Sequence, residues 1–195
     1  MFKNFKVKII IEIIIFALLI FFDQFTKYLA VLKLGESGKY DVIPGFISFE
    51  MLLNGNTGGA WGIFSGKMVF FYVITLVFAA VIVFFIYKAN KAQIVEFASS
   101  EVNYKLIRHF QMFEMILVCL LGGAFGNFID RIRLHYVIDF LSFQFIDFPI
   151  FNVSDCIICI SIVFLFICII FVFKDKEFNL LFKLNKEAKT NKLSD

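Results

Sequence analysis

Two aspartates stand where chemistry is easiest to argue. Asp139 lies in Tyr136-Val137-Ile138-Asp139-Phe140-Leu141, an apolar run that offers it no local charge partner. An aspartate in such a run is either unpaired at real cost or paired with something distant in the chain. Asp155 closes Phe151-Asn152-Val153-Ser154-Asp155, directly before a second apolar run. Asn and Ser are good helix N-caps, and an acid near a helix N-terminus favours the dipole, so a capping role competes with a chemical one there. If the two carboxyls meet beside an apolar surface, both cannot ionise cheaply; they share one proton and their pKa values split. The charged member then takes a proton from water, while the protonated member donates to a carbonyl oxygen. That is the chemistry of an aspartic peptidase, and it needs no metal, cofactor or covalent nucleophile. The fifteen intervening residues permit the meeting without requiring it.

The elements that must position them are membrane helices. Of 195 residues, 61% are hydrophobic, 19% aromatic and 18% charged, with mean hydropathy +0.87. Ordinary soluble domains are about 45–50% apolar and about 25% charged, so a soluble globular domain and a disordered chain are both excluded. A bilayer-spanning helix takes about 20 apolar residues. Four stretches qualify, at about 7–34, 68–87, 112–130 and 155–173. The chain is therefore expected to be a single four-helix domain over 1–195, an all-α integral membrane protein. Between the spans lie outer loops at about 35–67 and 131–154 and a cytoplasmic loop at 88–111. A Lys-rich cytoplasmic tail covers 174–195. Lys3, Lys6 and Lys8, the loop residues Lys88, Lys91, Lys105 and Arg108, and the six lysines of the tail put both termini inside. The N-terminal apolar run lacks a small-residue cleavage site and reads as a retained helix. Residues 40–53, β-branched and aromatic around Pro44-Gly45, predict short strands, a small extracytoplasmic β-containing region.

In that frame most ionisable residues fall at the outer ends of their helices. Charges within a bilayer are costly and mark function by default. Asp23 and Lys27 are i, i+4 and can pair; a purely structural ion pair explains them equally well. Asn127 and Arg131 are also i, i+4, and a satisfied helix end with a snorkelling arginine competes with a role in the site. Asp130 completes the layer. Glu12 and Glu114 stand apart and receive no role. The four cysteines, all in apolar stretches, read as buried thiols, and Cys156-x-x-Cys159 as packing. The glycines at 122, 123 and 126 suit close helix contact. Two histidines argue against a His-built metal site, and no phosphate-binding, serine-hydrolase or zinc-protease motif is present. No metal, cofactor or nucleic-acid partner is expected.

Five segments, in order, resemble the lipoprotein signal peptidase (signal peptidase II) family. They are Asp23-Gln24-Phe25-Thr26-Lys27, Asn56-Thr57-Gly58-Gly59-Ala60-Trp61-Gly62, Gly122-Gly123-Ala124-Phe125-Gly126-Asn127-Phe128-Ile129-Asp130-Arg131, Val137-Ile138-Asp139-Phe140 and Phe151-Asn152-Val153-Ser154-Asp155. Gly59 and Ser154 replace a usual Ala, and His135 stands where a Gly is common. The resemblance implies a bacterial cytoplasmic-membrane aspartic endopeptidase. It would remove the signal peptide of prolipoproteins, cutting before a diacylglyceryl-modified cysteine near the extracytoplasmic face. It implies that Asp139 and Asp155 are catalytic and that Asn127, Arg131 and Asn152 position substrate or the aspartates. Asp130, Asn56, Asp23 and Lys27 would support them or touch substrate. The outer strands and Trp61 are expected to cover the site as a lid. The residues leave two alternatives: a small proton- or ion-coupled transporter using the intramembrane carboxylates, and a non-catalytic membrane scaffold.

Overall fold

The computed structural model describes residues 4–35, 38–52, 55–59 and 63–183. Four long helices follow the chain order: α1 (Phe5–Leu34), α2 (Met68–Phe97), α3 (Tyr104–Leu134) and α4 (Val153–Ile167). A π-helical turn extends α4 through Val172, and a short α5 (Asp175–Lys183) follows. Among the described residues, α2, α3 and α4 with its π turn are long and apolar enough to cross a membrane. Helix α1 is equally long but carries Lys8, Glu12, Asp23 and Lys27, all buried. The stretch 88–111, read from sequence as a loop, is mostly helix: α2 runs on to Phe97 and α3 begins at Tyr104.

Local sequence explains the helix ends. Asn4 caps α1 through the amides of Lys6 and Val7, and Gly35 closes it with φ 63°. Asn103 caps α3. His135 ends α3 in the left-handed region, φ 63°. That conformation explains why glycine is at home there, and histidine is among the side chains that tolerate it. Asn152 and Asp155 form a reciprocal capping box at the start of α4.

Helix α3 is central and touches α1, α2 and α4. Its glycines permit the approach. A Cβ on Gly123 would lie 2.9 Å from both Ile158 Cγ1 and the Ser154 carbonyl oxygen, and one on Gly126 would collide with Ser154 Oγ and the Asp23 carboxylate. On α2 and α4 most large apolar side chains face outward, Val69 and Phe171 being more than 70% exposed. That is the pattern of helices whose solvent is lipid.

At one end of the bundle, β1 (Lys39–Ile43), β2 (Ile47–Glu50) and β3 (Leu141–Phe143) form an antiparallel sheet in the order β1-β2-β3. The hairpin turns at Gly45, φ 73°, and β1 is irregular between Asp41 and Ile43. Strand β2 pairs Ser48 with Ser142 of β3, and Leu141 is bridged in turn to Phe151. The sequence pattern suggests the hairpin; it gives no sign of the third strand.

At the other end, Lys8 of α1 donates to Asn90 of α2 and to Glu114 of α3, and Glu12 lies 3.9 Å from it. Lys8 and Glu114 are at most 1% exposed. Nearby, α5 packs Leu181 into the core of α2 and α3, and Glu177 accepts from His109 at 2.7 Å. Burial alone would raise the Glu177 pKa, but the bonds from His109 and from backbone amides outweigh it and hold the carboxyl below its usual value. A lowered acid stabilises the docked state above its unfolded pKa and loses that contribution as pH falls through the folded value. Hydrogen exchange in α5, corrected for intrinsic rate, is therefore expected to accelerate below about pH 4.5. Glu177→Gln should exchange faster already at neutral pH and lose that acid dependence.

Candidate active site

The residues singled out from sequence converge at the sheet end of the bundle, in two layers. The inner layer is centred on Lys27. Its ammonium has three N–H donors, and each finds an acceptor: Asp23 Oδ2 at 2.8 Å, Asp130 Oδ2 at 2.8 Å and Asn127 Oδ1 at 2.9 Å. Lys27, Asp23 and Asp130 are at most 1% exposed. The Asp23–Lys27 pair expected from i, i+4 spacing is thus part of a larger cluster joining α1 to α3. Asp23 also accepts from the Ser154 amide at 2.9 Å, so a side chain of α1 helps cap α4. Asp130 accepts from the Ile138 amide at 3.3 Å and so reaches the segment that carries Asp139.

The outer layer holds Asp139 and Asp155. They come from different elements, a chain segment entering β3 and the first turn of α4, and Asn152 meets both while Asn127 links it to Asp155. Asn152 Nδ2 donates to Asp139 Oδ1 at 2.6 Å and to Asn127 Oδ1 at 3.0 Å. Asn127 Nδ2 donates to Asp155 Oδ1 at 2.8 Å. Asn56 Nδ2 donates to Asp139 Oδ2 at 2.8 Å. The second Asp155 oxygen accepts from the Asn152 amide at 3.2 Å, within the capping box. Backbone contacts fix the loops: the Asn56 and Val137 amides each donate to the other's carbonyl, at 3.0 and 2.9 Å, and the Leu52 amide donates to the Asp139 carbonyl at 3.3 Å.

Burial is the main cause that raises Asp139, and the Asp155 carboxylate adds to it; together they lift the Asp139 pKa from an ordinary 3.8 to about 7, against the opposing bonds from Asn56 and Asn152. An acid so placed keeps a proton near neutrality, as the chemistry argued from sequence requires.

Arg131 lies beside the pair without bonding to it. Its guanidinium stacks 4.6 Å over the Phe71 ring and donates to the Gly58 carbonyl at 3.3 Å, while its Nε is buried with no partner among the described residues. Arg131 is more than a snorkelling helix end: it lines a cavity of about 380 Å³ with Asn56, Asn127, Asp139 and Asp155. The rest of that wall is largely apolar, including Phe143, Phe148, Ile150 and Phe151.

Some expectations need correction. Cys156 and Cys159 are not simply packing, for both line this cavity; Cys159 is exposed and Cys156 only half-buried. Trp61, expected in a lid, lies outside the described residues. A Cβ on Gly59 would meet its neighbours only at 3.7 Å, so an alanine would fit there. Sequence reasoning missed Gln24, which donates to Asp130 at 2.9 Å and to the Gly126 carbonyl at 3.1 Å. Its place inside the Asp23–Lys27 segment was the available signal. It also missed Tyr72, whose hydroxyl donates to the Arg131 carbonyl at 2.8 Å and for which the sequence holds no signal.

Comparisons with known proteins show which family the chain belongs to. The family described as "Signal peptidase (SPase) II" matches residues 15–171. A lipoprotein signal peptidase of Enterococcus faecalis is 40% identical over 164 residues, covering 83% of this chain and 89% of that protein. One from Bacillus pumilus is 38% identical over 156 residues, covering 79% and 88%. A bacterial membrane enzyme solved by the in meso method at 1.9 Å superposes with a TM-score of 0.64 at 30% identity, covering 83% of this chain and 94% of that one.

Removing one partner from a buried ionic cluster leaves the others uncompensated, at a cost of about 3–5 kcal/mol. Lys27→Met is expected to destabilise the fold by about that amount, measured by unfolding in detergent. A loss indistinguishable from that of a substitution on the exposed face of α1 would contradict the central place of Lys27.

Proposed function

Because the chain belongs to the signal peptidase II family, it removes signal peptides from prolipoproteins, and we propose that it does so as an aspartic endopeptidase with Asp139 and Asp155 as its catalytic pair. One observation carries the catalytic assignment: two aspartates from separate elements are bridged by Asn127 and Asn152 at the wall of one largely apolar cavity. We place the cut before a cysteine that carries diacylglycerol, whose lipid chains suit the aromatic side of the cavity.

Helix α1 is read as the fourth span, completing the four-helix bundle. Lys27 is nineteen positions beyond Lys8 on α1, roughly 28 Å at 1.5 Å per residue, close to the about 30 Å of a bilayer's hydrocarbon core. Both lysines turn inward to partners, which removes the cost of their charge in lipid. With Lys88, Lys91, Lys105 and Arg108 on the cytoplasmic side, both termini lie inside and the dyad sits near the extracytoplasmic face. There a signal helix can enter from the membrane while water reaches the scissile bond.

The pair holds one proton. The ionised carboxylate takes a proton from water as the water oxygen attacks the peptide carbonyl carbon, and the other aspartate gives its proton to the carbonyl oxygen. A geminal diol results. Transfer of the newly acquired proton to the peptide nitrogen breaks the C–N bond. The re-forming carbonyl returns a proton to the second aspartate, so the pair ends as it began. Arg131, with donors left over beside Gly58, and Asn56 are assigned to the scissile carbonyl and its neighbours. Asn127 and Asn152 hold the aspartates in register. Asp23, Lys27 and Asp130 keep those asparagines in place. The transporter alternative has no support among the relatives, and Glu114 sits at the opposite end of the bundle in contact with Lys8.

Asp139→Asn and Asp155→Asn are each expected to lower kcat on a diacylglyceryl prolipoprotein by about 10³-fold or more with the fold intact. A folded variant that keeps its activity would remove that aspartate from the dyad. Since the pair must retain one proton and Asp139 is lifted to about 7, kcat should decline as pH rises through about 7 and hold on the acid side of it. A flat profile to pH 9 would contradict the shared proton.

A further inference from the structure

Two thiols stand in the substrate cavity, and the peptidase mechanism uses neither. Asp155, Cys156 and Cys159 all belong to the stretch of α4 that lines it. Asp155 and Cys159 are i, i+4 and share a helix face, so the Cys159 backbone lies about 6 Å along the α4 axis from that of Asp155. Cys159 is exposed and Cys156 partly so, whereas Cys168 is buried and Cys119 lies on α3 and does not line the cavity. The facing wall carries Phe143, Phe148, Ile150 and Phe151.

Cys156 and Cys159 are both free thiols, so each offers its own sulfur to an electrophile. The cavity selects the reagent: its aromatic wall favours an apolar group, and an anion would have to give up its hydration against that wall.

We infer that Cys156 and Cys159 make the substrate cavity a covalent-modification site for uncharged apolar electrophiles, and that an adduct there blocks cleavage by occupying the space beside the dyad. The inference rests on the proposed function for its second half only. With an N-alkylmaleimide the step is an addition. The thiol sulfur bonds to one alkene carbon, the C=C π bond breaks, and the other carbon takes up the proton that the thiol gave up. No oxidant or reductant is needed.

The test uses the full chain in detergent. N-benzylmaleimide is the apolar probe, and a maleimide of similar size bearing a sulfonate is the anionic one. Labelling is mapped by peptide mass, and cleavage of a diacylglyceryl prolipoprotein is followed in parallel. The expected result is labelling at Cys156 or Cys159, faster with the apolar probe, and a fall in kcat/KM of about tenfold or more in step with it. Cys119→Ala/Cys168→Ala should be inactivated in the same way. Cys156→Ser/Cys159→Ser, whatever its starting activity, should lose less than about twofold on treatment; if it fails to fold, each single variant should lose only the inactivation due to its missing thiol. No labelling at either cysteine, a labelled enzyme that cleaves as before, or equal inactivation of the double serine variant would each overturn the inference. Asp139→Asn, run alongside, separates the two claims. If it cleaves like the wild type while the maleimide still inactivates, the dyad is wrong and the modification site stands. If untreated wild type does not cleave, the proposed function and the blocking half of the inference fall, and the labelling map alone decides the modification site.

Discussion

Four carboxylates gather at one end of this bundle, Asp23, Asp130 and Asp139 buried and Asp155 partly so, and the packing around them follows from the need to satisfy them. Lys27 is the centre of that arrangement. Its three donors are taken by Asp23, Asp130 and Asn127, and each of those acceptors has a second task elsewhere. Asp23 reaches the Ser154 amide on α4, Asp130 reaches the backbone before Asp139, and Asn127 reaches Asp155. One ammonium thereby fixes where α1, α3 and α4 stand relative to the reacting groups. Buried polar groups in such a network must all be satisfied or the cost is severe. Gly126 belongs to the same constraint, since a side chain there would push Ser154 and Asp23 apart.

The first turn of α4 shows why capping and chemistry are not rivals. Read from sequence, Asn152 and Asp155 look like an N-cap, and they are one. The capping box also locks the rotamer of Asp155 and leaves Asn152 Nδ2 free to hold Asp139. The same hydrogen bonds that begin the helix aim the aspartate. Asp139 is held by different means. It comes from irregular chain, so its position depends on the Asn56–Val137 bridge, on Leu52 and on the sheet that β3 completes. A helix supplies one acid and a braced loop supplies the other.

The far end of the molecule has its own polar tie, in which Lys8 joins α1 to α2 and α3 through Asn90 and Glu114. Helix α5 lies beyond residue 171, where the family match ends, and docks there through Leu181 and the His109–Glu177 contact. Charge at that end organises the bundle and has no part in the proposed reaction.

The sequence by itself determined the helical membrane character, the positions of three spans, the hairpin and the identity of the polar residues at the site. Hydropathy over twenty residues is a local quantity, and an aspartate stranded in an apolar run announces a distant partner. The five ordered segments also sufficed to suggest the family. Local pattern could not say that Asp139 and Asp155 are joined through Asn152 and Asn127, that Lys27 serves three acceptors, or that Gln24 and Tyr72 belong to the site. Nor could it show Cys156 and Cys159 in the cavity wall, because a thiol in an apolar helix reads the same whether it faces lipid, a neighbour or a substrate. Those facts are contacts between elements many residues apart. They exist only once α1, α3, α4 and the sheet have closed on one another, since hydrogen-bond partners are set by distance in space, which spacing along the chain does not encode.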